Sequence, residues 1–196
     1  MTAAPMTSEL ALTHDAVVIA GAAICSASTP PVLDACCGPR GMWYDKKDNR
    51  AIFADCREEN FGKIANGQTL IIAPDIKADF TRLPFPSETF YHVVFDPPHC
   101  NGTEARLKGC TGMKYGLLFA GWEEMLRDGF AECFRVLKPN GTLIFKWNEQ
   151  EIPVNDILKL TPEKPLYGHR SGKAAKTHWI AFLKPNVRLS DGGNET

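Results

Sequence analysis

Three short apolar runs in this chain each close on an aspartate. Pro31-Val32-Leu33 leads into Asp34, Ala51-Ile52-Phe53-Ala54 into Asp55, and Tyr91-His92-Val93-Val94-Phe95 into Asp96. Runs this short and this apolar read as buried strands. A carboxylate at the end of a buried strand is costly unless something engages it. In an open α/β sheet the carboxyl ends of the strands are where ligands bind. The repetition therefore predicts a mostly parallel sheet, covered on both faces, with its acids on one edge. Further strands are expected at Leu70–Ala73, Thr142–Trp147, near Leu166 and at His178–Leu183. A fourth acid, Asp79, falls on the same edge.

Between the fourth and fifth of these strands Trp122, Met125, Leu126, Phe130, Cys133, Phe134 and Leu137 recur at helical spacing. That stripe predicts a core helix, ended by Pro139-Asn140-Gly141. A shorter helix is expected over Val154–Leu160. The connections after the first two strands are short, so the helices on that side should be abbreviated. Residues 1–29 read as an N-terminal extension with one helix near Ala16–Cys25, residues 30–185 as a single domain, and residues 186–196 as a flexible tail.

Asp96 is followed by Pro97-Pro98-His99. The two prolines donate no backbone N–H and stop the strand ladder, fixing the acid and the next carbonyls in a stiff extended turn. Such a turn offers acceptors to a planar group with two N–H donors, such as the exocyclic amine of a nucleobase, and His99 offers a flat ring to cover its face. Asp-Pro is also an ordinary turn opener, so the tetrapeptide alone leaves both readings open. Upstream, Asp34-Ala35-Cys36-Cys37-Gly38-Pro39-Arg40-Gly41 reads as a strand-end acid and a tight turn of small residues, as at cofactor-binding turns.

Taken together, these segments resemble the class I S-adenosylmethionine-dependent methyltransferases. The nearer resemblance is to the amino-methyltransferase branch, whose tetrapeptide is Asp/Asn-Pro-Pro and an aromatic residue. The resemblance spans about Pro31 to Lys184. Phe145-Lys146-Trp147-Asn148-Glu149 and Pro165-Leu166-Tyr167-Gly168-His169-Arg170 are similar to segments of small phage and prophage methyltransferases. It implies a Rossmann-like seven-stranded sheet with an antiparallel last strand, and S-adenosylmethionine as cofactor. It also implies that Asp34, Ala35, Cys36 and Gly38 form the cofactor turn, that Asp55 accepts from the ribose hydroxyls, and that Asp79 accepts from the adenine amine. Asp96 and the Pro97 carbonyl would hold the substrate nitrogen, with Pro98 and His99 completing the catalytic turn. Cys36 replaces the family's first glycine, and His99 its usual Tyr, Phe or Trp.

Net charge is −1 over 196 residues, and 44% of them are hydrophobic, ordinary for one globular domain. The longest apolar run, Ala16–Cys25, is too short to span a bilayer. Met1–Ala27 lacks the basic start of a signal peptide and carries Glu9 and Asp15, so a cytoplasmic protein without membrane association is expected. Seven cysteines without a Cys-x-x-Cys spacing suggest neither a disulfide framework nor a metal site. A nucleophilic role for Cys36 or Cys37 at the turn is the lesser alternative to packing.

Two basic stretches stand out. Residues 99–116 contain four glycines with Arg106, Lys108 and Lys114, and read as a lid or a disordered loop. Lys164–Lys184 carries Arg170, Lys173 and Lys176 and no acid. If both flank Asp96, phosphate-backbone contacts of a DNA or RNA substrate follow, the base being single-stranded or flipped out. The competing readings are a small-molecule or protein amine substrate, a nicotinamide-dependent dehydrogenase, which should show Gly-x-Gly-x-x-Gly, and a prophage binding protein that kept the fold without the chemistry.

Overall fold

The computed structural model describes residues 29–65, 67–171 and 174–186. The expected N-terminal extension with its helix, the tail beyond residue 186, Cys25 and Lys173 lie outside the described residues. In chain order the elements are β1 (Val32–Asp34), β2 (Ala51–Asp55), β3 (Glu59–Lys63), β4 (Thr69–Ile72), β5 (Ile76–Lys77) and β6 (Phe90–Phe95). They continue with α1 (Glu104–Leu107), α2 (Cys110–Tyr115), α3 (Trp122–Val136), β7 (Leu137–Asn148), α4 (Val154–Leu158), β8 (Tyr167–Ser171) and β9 (Thr177–Leu183).

Seven strands form one sheet in the order β5-β2-β1-β6-β7-β9-β8. All neighbours from β5 to β7 run parallel, and β9 is inserted antiparallel between β7 and β8. This is the mostly parallel sheet that the strand-end acids predicted, with the seven strands and antiparallel last strand of the Rossmann-like fold that the resemblance implied. β9 starts opposite the end of β7, with Thr177 across from Asn148, so the β8–β9 turn joins the edge carrying the acids.

The right half of the sheet is built on aromatic packing. α3 buries Leu126, Phe130, Cys133 and Phe134 along the predicted stripe. Phe130 meets Phe95 at 5.3 Å and Phe145 at 4.9 Å between ring centroids. Gly129 on this helix faces Phe80 and Phe95, where an added β-carbon would come within 2.7 Å of a ring. α3 ends at Val136, and the Pro139-Asn140-Gly141 segment is absorbed into β7, with Asn140 at φ 60°.

Two expectations are corrected. The strand predicted at Leu70–Ala73 exists as β4, but it pairs only with β3 in a separate hairpin, and the sheet-edge strand is the two-residue β5. β4 alternates buried Leu70 and Ile72 with exposed neighbours, a period shared by hairpin and sheet strands alike. Cover on both faces by helices is also not found among the described residues, since α3 and α4 feed the same core cluster. On the opposite face the β1–β2 connection carries no helix. There Trp43 packs edge-on against Phe53 at 4.7 Å, and the Arg40 guanidinium lies 3.8 Å from the Phe53 ring centre.

Candidate functional site

The parallel register decides what meets at the edge. Phe95 pairs with Phe145, so the residues one step further, Asp96 and Lys146, stand side by side. Lys146 Nζ donates to Asp96 Oδ2 at 2.5 Å. Two cavities adjoin at this pair. One, of about 520 Å³, is lined by Cys36, Gly38, Asp55, Asp79, Phe80 and Met125 among others, and the second, of about 630 Å³, by His99, Arg106, Asn148, Glu151 and Thr177 among others. Asp96, Lys146, Tyr115 and Leu117 line both.

The acid expected at the head of the cofactor turn lies behind it. Asp34 is fully buried and lines neither cavity; its Oδ2 accepts from the Trp43 indole at 2.7 Å and its Oδ1 from the Cys36 N–H at 3.4 Å. Burial pushes its carboxyl up to about 7, against the opposing effect of those two hydrogen bonds. Ala35 is buried too, its N–H spent on the Val94 carbonyl.

Gly38 sits at φ 49°, a conformation that disfavours side chains, and donates its N–H to Asp55 Oδ2 at 2.9 Å. Asp55 is heavily engaged. Its carboxylate also receives the Arg57 N–H at 2.9 Å, Nε at 3.0 Å and Nη2 at 3.2 Å. Arg57 in turn reaches the Met113 and Lys114 carbonyls at 3.1 and 3.4 Å, tying the end of β2 to α2. Asp79 is exposed on the cavity wall, with its Oδ1 taken by the backbone and hydroxyl of Thr81.

On the other side of Asp96, Pro97 is buried while Pro98 lines the first cavity. His99 leans on Tyr115 at 5.6 Å and meets Trp147 edge-on at 6.2 Å between ring centroids. Its Nδ1 is buried without a well-directed hydrogen bond among the described residues. Burial lowers its pKa, with Asp96 opposing that and Lys146 adding to it, which favours the uncharged ring.

The basic residues divide. Residues 99–116 are ordered into α1 and α2 rather than one long loop. Arg106 lines the second cavity but is paired with Glu151 at 2.6 Å, and Lys114 lines the first. Lys108 is exposed and lines neither. Arg170 and Lys176 are exposed on the hairpin beside the site, with Arg170 3.9 Å from Glu149. The nucleophile alternative loses ground. Burial, chiefly, pushes the Cys37 thiol up to about 12 and that of Cys36 well above its ordinary value, which disfavours the thiolate. The six described cysteines are all free.

Sequence reasoning assigned no role to Lys146, Arg57, Tyr115 or Trp43. Lys146 had a signal. It is a charged residue on the face opposite buried Leu143, Phe145 and Trp147, near the carboxyl end of the strand, but only the register of β6 on β7 brings it to Asp96.

No protein-family model and no curated protein matches the chain. Among solved structures it is similar to a putative methylase from Haemophilus influenzae at 15% identity, covering 80% of this chain and 88% of that one, with a TM-score of 0.45. It is similar to the Burkholderia thailandensis 1,6-didemethyltoxoflavin-N1-methyltransferase, a structure with bound S-adenosylhomocysteine, at 11% identity over 88% and 80% of the chains and a TM-score of 0.46. It is also similar to a 16S rRNA (adenine(1408)-N(1))-methyltransferase from Catenulisporales acidiphilia at 11% identity over 87% and 93%, with a TM-score of 0.45. Likeness at this level bears on no substrate.

Proposed function

We propose that this chain is an S-adenosylmethionine-dependent N-methyltransferase acting on an exocyclic amine of a nucleobase in DNA or RNA. The observation that carries this reading is the pair of cavities that share Asp96, Lys146, Tyr115 and Leu117 as a common wall. Group transfer needs two ligands meeting at one point, and a buried acceptor carboxylate at that point selects an N–H donor.

The residues of the first cavity fit the cofactor. A β-carbon at Gly38 would meet the Lys114 carbonyl at 3.1 Å, a crowded contact on top of the strain of a positive φ, so glycine suits this turn. Asp79 keeps one carboxylate oxygen for an adenine amine, with Phe80 and Met125 supplying apolar wall. Asp55 can serve a ribose diol once the Arg57 guanidinium swings off, since its four acceptor positions are otherwise filled. When bound, S-adenosylmethionine supplies a methyl group to a nitrogen lone pair and leaves as a neutral thioether.

The chain's own groups position the acceptor. Asp96 Oδ1, which has no hydrogen bond among the described residues, accepts from the amine and draws its lone pair out of conjugation. His99 and Tyr115 offer ring faces in the second cavity. Base–aromatic stacking is worth ~1–3 kcal/mol per base. The surplus proton of the methylated nitrogen passes to Asp96 or to water, so no base has to act first.

A small-molecule amine is the second reading, favoured by the pairing of Arg106 with Glu151 and of Arg170 with Glu149 at the mouth. Calorimetry with S-adenosylmethionine, followed by labelled methyl transfer to DNA, RNA and free nucleosides, tests both. Binding and transfer to a polynucleotide are expected. Asp96→Ala should lose transfer by roughly 100-fold or more while cofactor affinity holds, its contact strengthening in the transition state. Absence of binding by the wild type ends the methyltransferase reading, and transfer only to free nucleosides favours the second.

A further inference from the structure

We infer that Lys146 is a positioning residue that pins one oxygen of the Asp96 carboxylate and turns the site against cationic amines, so that a neutral, conjugated amine is the acceptor. The inference rests on the reading of the two cavities as cofactor and acceptor sites. Its starting point is an asymmetry in the carboxylate. Oδ2 is held by Lys146 Nζ at 2.5 Å, and Oδ1 has no donor among the described residues. The pair is shielded, with 8% of the Asp96 side chain and 19% of that of Lys146 exposed. Nζ also lies 5.8 Å from the Tyr115 ring centre and 5.5 Å from that of Trp179, so the ammonium stands near two aromatic rings as well as its acid.

Two consequences follow. An acid gripped at one oxygen is held against rotation, so its free oxygen is presented at one place in the shared wall. Positional precision of this kind matters steeply, because a 1 Å misplacement can cost ~100-fold in rate. The second consequence is electrostatic. A lysine side chain or a polyamine enters as an ammonium, and it would have to share one shielded carboxylate with the ammonium of Lys146. Like charges brought together in a water-poor site repel strongly. The exocyclic amine of a heteroaromatic ring is uncharged at neutral pH and meets no such opposition. The neutral His99 ring and Tyr115 favour the same flat, uncharged guest.

Arg106 does not restore room for a cation. It lines the second cavity as another positive group, and Glu151, the acid nearest to it, is occupied by Arg106 Nη1 and the Asn101 N–H.

The test compares two unreactive binding measurements before any chemistry. Calorimetry without cofactor is run with deoxyadenosine and with 1,4-diaminobutane, on the wild type, Lys146→Met and Lys146→Arg, each first checked for folding by thermal unfolding. The wild type should bind deoxyadenosine at least about tenfold more tightly than the diamine, and Lys146→Arg should keep that order. Lys146→Met should gain about tenfold in diamine affinity with deoxyadenosine affinity little changed. In labelled methyl transfer to an adenine-containing oligonucleotide it should lose roughly 100-fold in kcat with KM near the wild-type value. A wild type that prefers the diamine overturns the inference without any variant, as does a folded Lys146→Met with unchanged preference and turnover. A wild type that keeps the preference but binds no S-adenosylmethionine leaves the charge filter standing and removes only the methyltransferase reading.

Discussion

The two halves of the sheet share one apolar core but differ in how their connections are fastened. Around β6, β7 and β9 the stabilising contacts are aromatic and dry, with Phe95, Phe130, Phe145, Trp147 and Phe182 all essentially inaccessible to solvent. Around β1, β2 and β5 one face joins the same apolar core through Leu33, Ala35, Ile52 and Ala54, whereas the β1–β2 connection on the other face carries no helix, and polar contacts fasten the connections. Arg40 joins the Ala73 carbonyl and Asp75, Trp43 joins Asp34, and Arg57 joins Asp55 to α2. Helices are a way to satisfy backbone groups locally while presenting an apolar stripe. Where the connections carry no helix, side chains take over the fastening, and Arg57 does so on the same edge as the ligand cavity.

The contrast breaks most visibly in stability. Phe145→Ala should cost ~3–5 kcal/mol, since its ring leaves a cavity among packed aromatics. Trp43→Phe on the polar half should cost only ~1–3 kcal/mol, the expense of a buried acceptor losing its donor. Urea midpoints of the two variants measure the difference. Equal costs would show that the loop half is packed as tightly as the helical half.

That contrast also explains what could be read from the sequence. The helical stripe from Trp122 to Phe134 and the apolar runs of β2 and β6 carry their own period, and these three elements stand where that period puts them. Two-residue β5 has no period to read, and β4 has the right period in the wrong sheet. In the site, Asp55, Asp79, Asp96 and His99 announced themselves by position at strand ends or beside paired prolines, and all four line a cavity. Their partners did not. Arg57 finds carbonyls 56 and 57 positions away, and Lys146 finds its acid 50 positions away. Distances of that kind are set by register and topology, which a local reading cannot supply. Asp34 shows the converse. It has the position of a ligand acid, yet its burial behind the turn gives it to Trp43.

Asp34 sharpens the comparison through pH. In the unfolded chain an aspartate titrates near ~3.9, whereas burial holds Asp34 up at about 7 in the fold. Between those values the unfolded chain has released a proton that the folded chain keeps. Stability therefore falls as pH rises from about 4 to about 7, and the loss, on the order of a few kcal/mol, is complete above that window. Asp34→Asn keeps an acceptor for the Trp43 indole and should flatten this slope. Urea unfolding at several pH values across the window reads it, and a slope identical to the wild type would refute the assignment.

The smallest effect belongs to the exposed cations. Arg170→Gln with Lys176→Gln should leave stability within about 0.5 kcal/mol, as surface changes usually do. If these side chains meet phosphates, the dependence of oligonucleotide affinity on salt should lose a slope of about two. An unchanged slope in a binding titration against sodium chloride would place the polynucleotide elsewhere on the molecule.

The hydrogen atom that Gly129 carries in place of a side chain has a reach beyond its helix. Phe80 and Phe95 lie directly against it; Phe80 is also wall of the first cavity, and Phe95 is the residue before Asp96. The partition between that ligand chamber and the back of α3 is thus one ring thick. Any residue larger than glycine would push that ring forward, so the chamber's depth and the setting of its acid are gauged from behind, by a position no ligand touches.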